Sequence, residues 1–308
     1  MEAHMHASTA VNAADAGKQR KRRLAWLPWL LLSPTLLLLS VVISGPLIGT
    51  LFLSLSDWNG INKPEFIGFA NFAELLQDKI FYAALWNNVK WMLFFLTIPV
   101  IMGLSAAMFV SKVTRGQMLY RTLLFLPYIV STVVTAKIWQ GIYSPYFGIN
   151  TVFEKWGWDF LKVSWLGDTR VALFSVAVAD TWHFWGFLVV LFLVALHQLD
   201  RTLEEAATVD GASRARIVWH IVLPQLRPTL VLVYMLLVIW SFAAFDYVFV
   251  MTQGGPGNAS ELIATYMYKL ALYSQEPGYA SAIALTMGLF SLIVILGFGL
   301  VKKKGWDV

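Results

Sequence analysis

Asp180 and His183 stand three residues apart inside an otherwise apolar run, so a helix would carry them on one face. Trp182 and Trp185 flank them. Charged groups inside such runs are costly in lipid and usually face a pathway or a partner. A carboxylate among aromatic rings can hold a neutral polyhydroxylated solute. A carboxylate beside an imidazole can instead pair with it, or relay protons. Asp246 and Tyr247 offer a second polar pair, just before Thr252, Gly254, Gly255 and Pro256, whose residue types predict a tight turn. Lys137, with Trp139 and Gln140 close by, is either a third polar element or a side chain snorkelling to the interface. Asn87, Asn88 and Lys90 read as an interface between helices.

The elements that must position these residues follow from composition. The 308 residues are 58% hydrophobic and only 13% charged, against roughly 25% charged in soluble domains. The basic cluster Lys18, Arg20 to Arg23 precedes a run with no charge from Leu24 to Ser56. That run exceeds the apolar core of a signal peptide, about 7–15 residues, and reaches the roughly 20 residues a span needs. Five further candidate spans follow at 84–110, 119–142, 171–196, 229–250 and 279–301. Asp180 then lies about 14 Å along the fourth helix, near mid-membrane. Lys and Arg fall fifteen to one side and six to the other, which places both termini and the 202–224 loop in the cytoplasm. The expected fold is all-α and polytopic, with six transmembrane helices. Residues 1–23 read as a disordered basic N-terminus, and 24–308 as one membrane domain. Outside, 66–82 has the pattern of an interfacial helix, and Trp156, Trp158 and Trp165 suit a membrane–water belt.

The chain has no cysteine, no Walker A pattern, no H-E-x-x-H and no G-x-S-x-G. Its five histidines are scattered, so neither a metal site nor an enzyme is expected, and the net charge reads as topology rather than nucleic-acid binding. The polar stretch Thr202 to Pro224 is therefore the chain's most informative interruption. Thr202 and Glu205 have the spacing of a capping box, Gly211 can stop the helix, and Ser213 can start a second short helix ending before Pro224. A two-turn helix here is marginal alone, so it needs something to dock on.

This stretch resembles the EAA loop of the inner-membrane permeases of bacterial binding-protein-dependent ABC importers, EAA-x3-G-x9-I-x-L-P. Every fixed position matches: Glu205, Ala206, Ala207, Gly211, Ile221, Leu223 and Pro224. Asp210 and Ala212 are typical of the carbohydrate branch. Phe66 to Phe69 with Asn71 and Phe72, and Thr252 with Gly254 to Pro256, are similar to the first permease of the maltose and glycerol-3-phosphate type. The resemblance implies a multi-pass protein of the bacterial inner membrane. It implies a second permease, two ATPase subunits that hold ATP and Mg, an external solute-binding protein and surrounding lipid as partners, with no cofactor in this chain. It makes 202–224 the coupling loop, Glu204 included, with Glu205 offering a charge to a basic partner, Arg214 and Arg216 available for further ion pairs, and Ala206 and Ala207 small enough for a groove. Glu205 can be a cap, a contact or both. It makes Gly254 to Pro256 a contact for the binding protein. The implied cargo is a sugar or oligosaccharide, with glycerol-3-phosphate or a polyol as the alternative. An ion-coupled secondary transporter is the rival of another class, although no inverted repeat is visible.

Overall fold

A computed structural model describes residues 27–113 and 115–303. The expectations for residues 1–23 and for the last residues of the basic tail lie outside that range. Contacts divide the chain into two units, 1–52 and 53–308. The first is described from α1 (Leu27–Leu39) through a wide turn, Ser40–Ser44, into α2 (Gly45–Ser54), whose last two residues, Leu53 and Ser54, already belong to the second unit. Pro34 lies inside α1, and the Ser33, Ser40 and Thr50 hydroxyls donate back to carbonyls three or four residues earlier, keeping polar groups satisfied where lipid offers no partner.

The second unit opens with β1 (Ser56–Asp57) paired antiparallel to β2 (Glu65–Phe66), Ser56 opposite Phe66. Beside it lies α3 (Ala70–Leu75). The buried Asn71 side chain donates to the carbonyls of Ser54 and Ser56, at 2.9 and 3.0 Å, closing this hairpin onto the helix. The expected interfacial helix over 66–82 is thus only six residues long. Asp78 ends it by capping the next helix, α4 (Lys79–Val110), which starts five residues earlier than its apolar pattern suggested. At 32 residues α4 is about 48 Å long, well beyond a bilayer core of about 30 Å.

Asp78 also joins three elements outside the membrane. One carboxylate oxygen accepts from the Ile80 and Phe81 amides; the other accepts from the hydroxyls of Tyr266 and Tyr279, at 2.6 and 2.7 Å. Burial pushes this carboxyl up, but the hydrogen bonds from Tyr266, Tyr279, Phe81 and Ile80 outweigh it and hold it below its ordinary value. Such a group stabilises the fold above its unfolded-state pKa, and that contribution disappears as pH falls through the lower folded value. Asp78→Ala is expected to cost on the order of 1–2 kcal/mol at neutral pH. In thermal unfolding of the purified protein the gap between parent and variant should close on acidification.

The next expected span, 119–142, is broken into α5 (Gln117–Ile129) and α6 (Thr132–Ile142), bent by 92°. Val130 and Ser131 between them are extended, with ψ of 140° and 136°, so the helical hydrogen-bond ladder stops there. After a short external helix, α7 (Ile149–Lys155), comes the central span α8 (Ala172–His197). Trp165 of the expected aromatic belt is turned inward, stacked on Tyr143 at 5.5 Å and donating to Asn150; Trp156 and Trp158 are exposed.

Helix association in lipid rests on close packing rather than on a hydrophobic drive. Gly103 of α4 and Gly186 of α8 supply it. A methyl on Gly103 would sit 2.7 Å from the Leu188 side chain, and one on Gly186 would run into the Leu124 backbone carbonyl of α5. Phe192, Leu188 and Leu193 of α8 are fully enclosed as a result.

On the cytoplasmic side α9 (Arg201–Val209) and α10 (Arg214–Ile217) lead through a wide turn, Val218–Val222, into α11 (Leu223–Gln225) and α12 (Arg227–Phe242). The helix does not end before Pro224 as expected. The widened turn, with Leu223 N–H on the Val218 carbonyl, absorbs a proline that cannot donate. The chain bends instead by 70° between 225 and 227. The expected span 229–250 stops at Phe242, and after a break at 243–245 resumes as α13 (Asp246–Met251). Helix α14 (Ile263–Leu272) lies outside, and α15 (Pro277–Lys303) is the last span. Among the described residues four helices are long and apolar enough to cross a membrane, or six elements if each bent pair counts as one span.

Candidate functional site

Helix α8 presents Asp180 and His183 to a cavity of about 240 Å³. Both breaks open onto it: Thr132 begins α6 on one side, and Ala243 to Tyr247 form the other. Trp91, Phe95, Tyr128, Phe184 and Trp240 complete an aromatic wall, with Trp240 edge-on to Phe184 at 5.3 Å. Asp180, His183, Asp246 and Tyr247 are thus brought together, although more than sixty residues separate the two pairs. No Lys or Arg lines this cavity among the described residues. His183 does not pair with Asp180. Its Nε2 lies 3.0 Å from the Val130 carbonyl, and because that oxygen only accepts, Nε2 carries the proton.

Four expected pathway residues lie elsewhere. Trp182 is on the opposite face of α8, exposed and edge-on to Trp139 at 6.2 Å; Trp185 is likewise absent from the cavity wall. A helix turns by about 100° per residue, which sets Trp182 about 200° from Asp180 and Trp185 about 200° from His183, away from the cavity, while Phe184 falls within about 40° of Asp180. Lys137 is exposed and donates to Gln140 on its own helix at 3.0 Å. Thr132, Tyr128 and Trp240 were missed. Only the break positions reveal them, and their local signals, Pro127 and the Ser131-Thr132 pair, were hidden in an apolar run.

The cytoplasmic loop is built as a separate, anchored element. Asp200, not Thr202, caps α9: its carboxylate accepts from the Thr202 amide at 2.9 Å and hydroxyl at 2.7 Å. Those bonds lower the Asp200 pKa. The predicted capping box is therefore not formed, because the helix begins two residues earlier and a better acceptor is already in place. Glu205 is left exposed, as are Ala206 and Asp210, with Glu204 and Ala207 partly covered. Gly211 stops the helix at φ +79°. Its amide donates to the Thr208 carbonyl and that of Ala212 to Ala207, the paired bonds of a Schellman stop. Ser213 caps α10 through the Arg216 amide, leaving Arg214 exposed. Ile221, Leu223 and Pro224 are partly buried at the base, where Val222 and Leu226 pack with Ala195 at the end of α8. Gln225 accepts from the Asp200 amide. The loop thus has a fixed foot and an exposed helix.

The external loop after α13 folds around Glu261, which is 1% exposed and paired with Lys269. Lys269 also donates to the Gln253 carbonyl at 2.7 Å. Gly254, at φ +78°, lies against the Glu261 carboxylate, and the Gly255–Pro256 peptide is cis. Thr252 and Ser260 hydroxyls meet at 2.8 Å. Asn87 donates to the carbonyls of Asn258 and Glu261, and Asn88 joins Ser241 to Ile263 at 2.7 and 2.8 Å. The polar residues of α4 are therefore staples for this loop, with Lys90 donating to Asn87. Glu261 gives no sign in sequence, since its partner lies two turns away across the loop.

A polar cavity inside a helical membrane unit, with an anchored cytoplasmic helix beneath and a stapled loop above, defines a membrane permease. The model for the inner-membrane component of binding-protein-dependent transport systems matches residues 99–304, and the chain belongs to that family. A probable ABC transporter permease of Bacillus subtilis is 35% identical, covering 90% of this chain and 95% of that protein. The trehalose/maltose transport system permease of Thermococcus litoralis is 31% identical, covering 92% and 95%. A bacterial alginate ABC transporter, solved with an alginate-pentasaccharide-bound periplasmic protein, shares the fold at TM-score 0.82 and 23% identity, over 94% of this chain and 98% of that one. The chain is a multi-pass permease of an inner-membrane ABC importer, not an enzyme.

Proposed function

We propose that this permease carries a neutral sugar or oligosaccharide. The observation that supports this most is the cavity lining, in which, among the described residues, two carboxylates and a ring of aromatic faces occur without a Lys or Arg. Carboxylates accept hydrogen bonds from hydroxyl groups, while rings cover the apolar face of a sugar. A phosphate would lack a counter-charge there, which disfavours the glycerol-3-phosphate alternative. The relatives' names agree, including trehalose/maltose and diacetylchitobiose systems. The family offers no support for the ion-coupled rival.

In this reading a second permease supplies the other half of the pathway. Two ATPase subunits hold ATP and Mg, and this chain holds no cofactor. Helix α9 docks on an ATPase through its exposed Glu205 and Ala206 and the half-covered Glu204 and Ala207, together with Arg214. Closure of the ATPase pair pushes the loop, whose foot at Val222 and Leu226 transmits the motion to α8 and α12. The Thr252 to Pro256 loop receives the solute-binding protein.

Uptake by the reconstituted importer tests this. A neutral disaccharide or its oligomers should be taken up, and Asp180→Asn should lower the rate about tenfold or more, the size of a lost hydrogen bond to a charged group. Uptake of glycerol-3-phosphate in preference to every neutral sugar would contradict the reading.

A further inference from the structure

A second hollow, of about 660 Å³, lies between the inner half of α4 and the start of α12. It shares no lining residue with the solute cavity. Leu104 on its wall stands nine residues after Phe95 of the cavity, about 180° around α4, so the two hollows lie on opposite sides of that helix. Val100, Ile101 and Leu104 form one wall, and Leu230, Val231 and Tyr234 the other. Leu223 and Pro224, from the base of the coupling loop, line it as well.

The groove is graded from one end to the other. Arg227 begins α12, and Tyr234 lies seven residues, about 10 Å, further into the membrane. Arg227 and Trp219 stand at the cytoplasmic mouth, both exposed, and the walls beyond them are almost wholly apolar. Among the described residues no Asp or Glu lines it. Ile101 is 62% and Trp219 69% exposed, so the groove opens sideways rather than into the protein. Indole rings sit well at the headgroup level, and a basic side chain there attracts the anionic lipids of the cytoplasmic leaflet. A soluble solute would find few polar partners along these walls. A helix of another protein would cover the walls but has no need of a cation at the mouth. An acyl chain below an anionic headgroup matches both ends.

We propose that this groove holds an anionic phospholipid of the inner leaflet, with an acyl chain between α4 and α12 and the phosphate at Arg227. Because Leu223 and Pro224 belong to its wall, the bound lipid also braces the base of the coupling loop. The seat is independent of the solute carried; its effect on ATP hydrolysis rests on the importer reading.

The test places the complete importer in phosphatidylcholine nanodiscs with a trace of photoreactive lipid. Its diazirine is midway along one acyl chain, and its headgroup is either phosphatidylglycerol or phosphatidylcholine. Peptide mapping after illumination compares label on 100–104 and 230–234 with label on 292–296 of α15, an exposed apolar stretch that samples bulk lipid. In the parent, groove label should be about fivefold higher with the glycerol headgroup than with choline, the size of effect one Arg near an anionic surface gives. Arg227→Gln should bring the two headgroups together, whereas Arg227→Lys should keep most of the preference. Val231→Trp, which fills the groove, should lower its label with both headgroups, and it decides the matter if Arg227→Gln does not assemble. Raising the phosphatidylglycerol fraction should raise hydrolysis stimulated by loaded binding protein in the parent but not in Arg227→Gln. Equal groove label with both headgroups in the parent, or none because a helix of the second permease covers the groove, would overturn the lipid site. A labelling preference with no lipid effect on hydrolysis would support the seat and overturn its link to the coupling loop.

Discussion

Gly211→Val should abolish solute uptake while leaving the protein inserted in the membrane. Gly211 sits at φ +79° with open space around it, so the obstacle is backbone conformation rather than a clash. A β-branched residue is a clear outlier there, at about 1–2 kcal/mol. The chain escapes that cost by leaving the left-handed region, which breaks the Gly211–Thr208 and Ala212–Ala207 bonds. Helix α9 then points elsewhere relative to its foot at Val222 and Leu226. The spans do not depend on this turn, so membrane insertion and yield should match the parent. ATP hydrolysis stimulated by loaded binding protein should fall at least about tenfold, whereas Gly211→Asn, better tolerated in this conformation, should keep most of it. Equal uptake by the valine variant would show that the orientation of α9 is not used.

Gly254→Ala is the second large effect, on the other side of the membrane. Here both constraints act: φ is +78°, and the added methyl enters the space of the Glu261 carboxylate. Glu261 cannot retreat freely, because it is 1% exposed and paired with Lys269. Separating a buried pair costs about 3–5 kcal/mol, so the loop from Thr252 to Ser260 should change shape rather than absorb the methyl. A titration of ATP hydrolysis against loaded binding protein reads the outcome. The half-maximal concentration should rise about tenfold or more, while co-purification of the ATPase subunits stays as in the parent. Glu261→Ala should act in the same direction by leaving Lys269 without its partner. An unchanged titration for both variants would remove the loop from the docking surface.

The spans and the short turns are legible in the sequence and the helix breaks are not, for different physical reasons. Long apolar runs and the placement of Lys and Arg reflect the bilayer itself, so the spans were legible from composition. The Gly211 stop and the Ser213 cap were legible because each is a local rule acting within a turn. The two breaks at 130–131 and 243–245 were not, since an apolar run reads the same whether its helix is continuous or bent. Asp180 with Asp246 could be singled out as costly in lipid, but their shared cavity depends on those breaks. Trp182 and Trp185 were assigned by nearness in sequence, and helix geometry turned them away. Glu205 was ambiguous until Asp200 was seen to hold the cap, which leaves its carboxylate exposed for a partner.

That exposed carboxylate allows the most direct test of the central claim. The tagged chain is expressed with its importer partners, purified, and the bound ATPase subunits are quantified for the parent and for Glu205→Lys. Stoichiometric ATPase on the parent, reduced about tenfold or more by the charge reversal with the permease pair intact, is the expected result. A purified chain that binds no ATPase and moves solute alone on an ion gradient would contradict it.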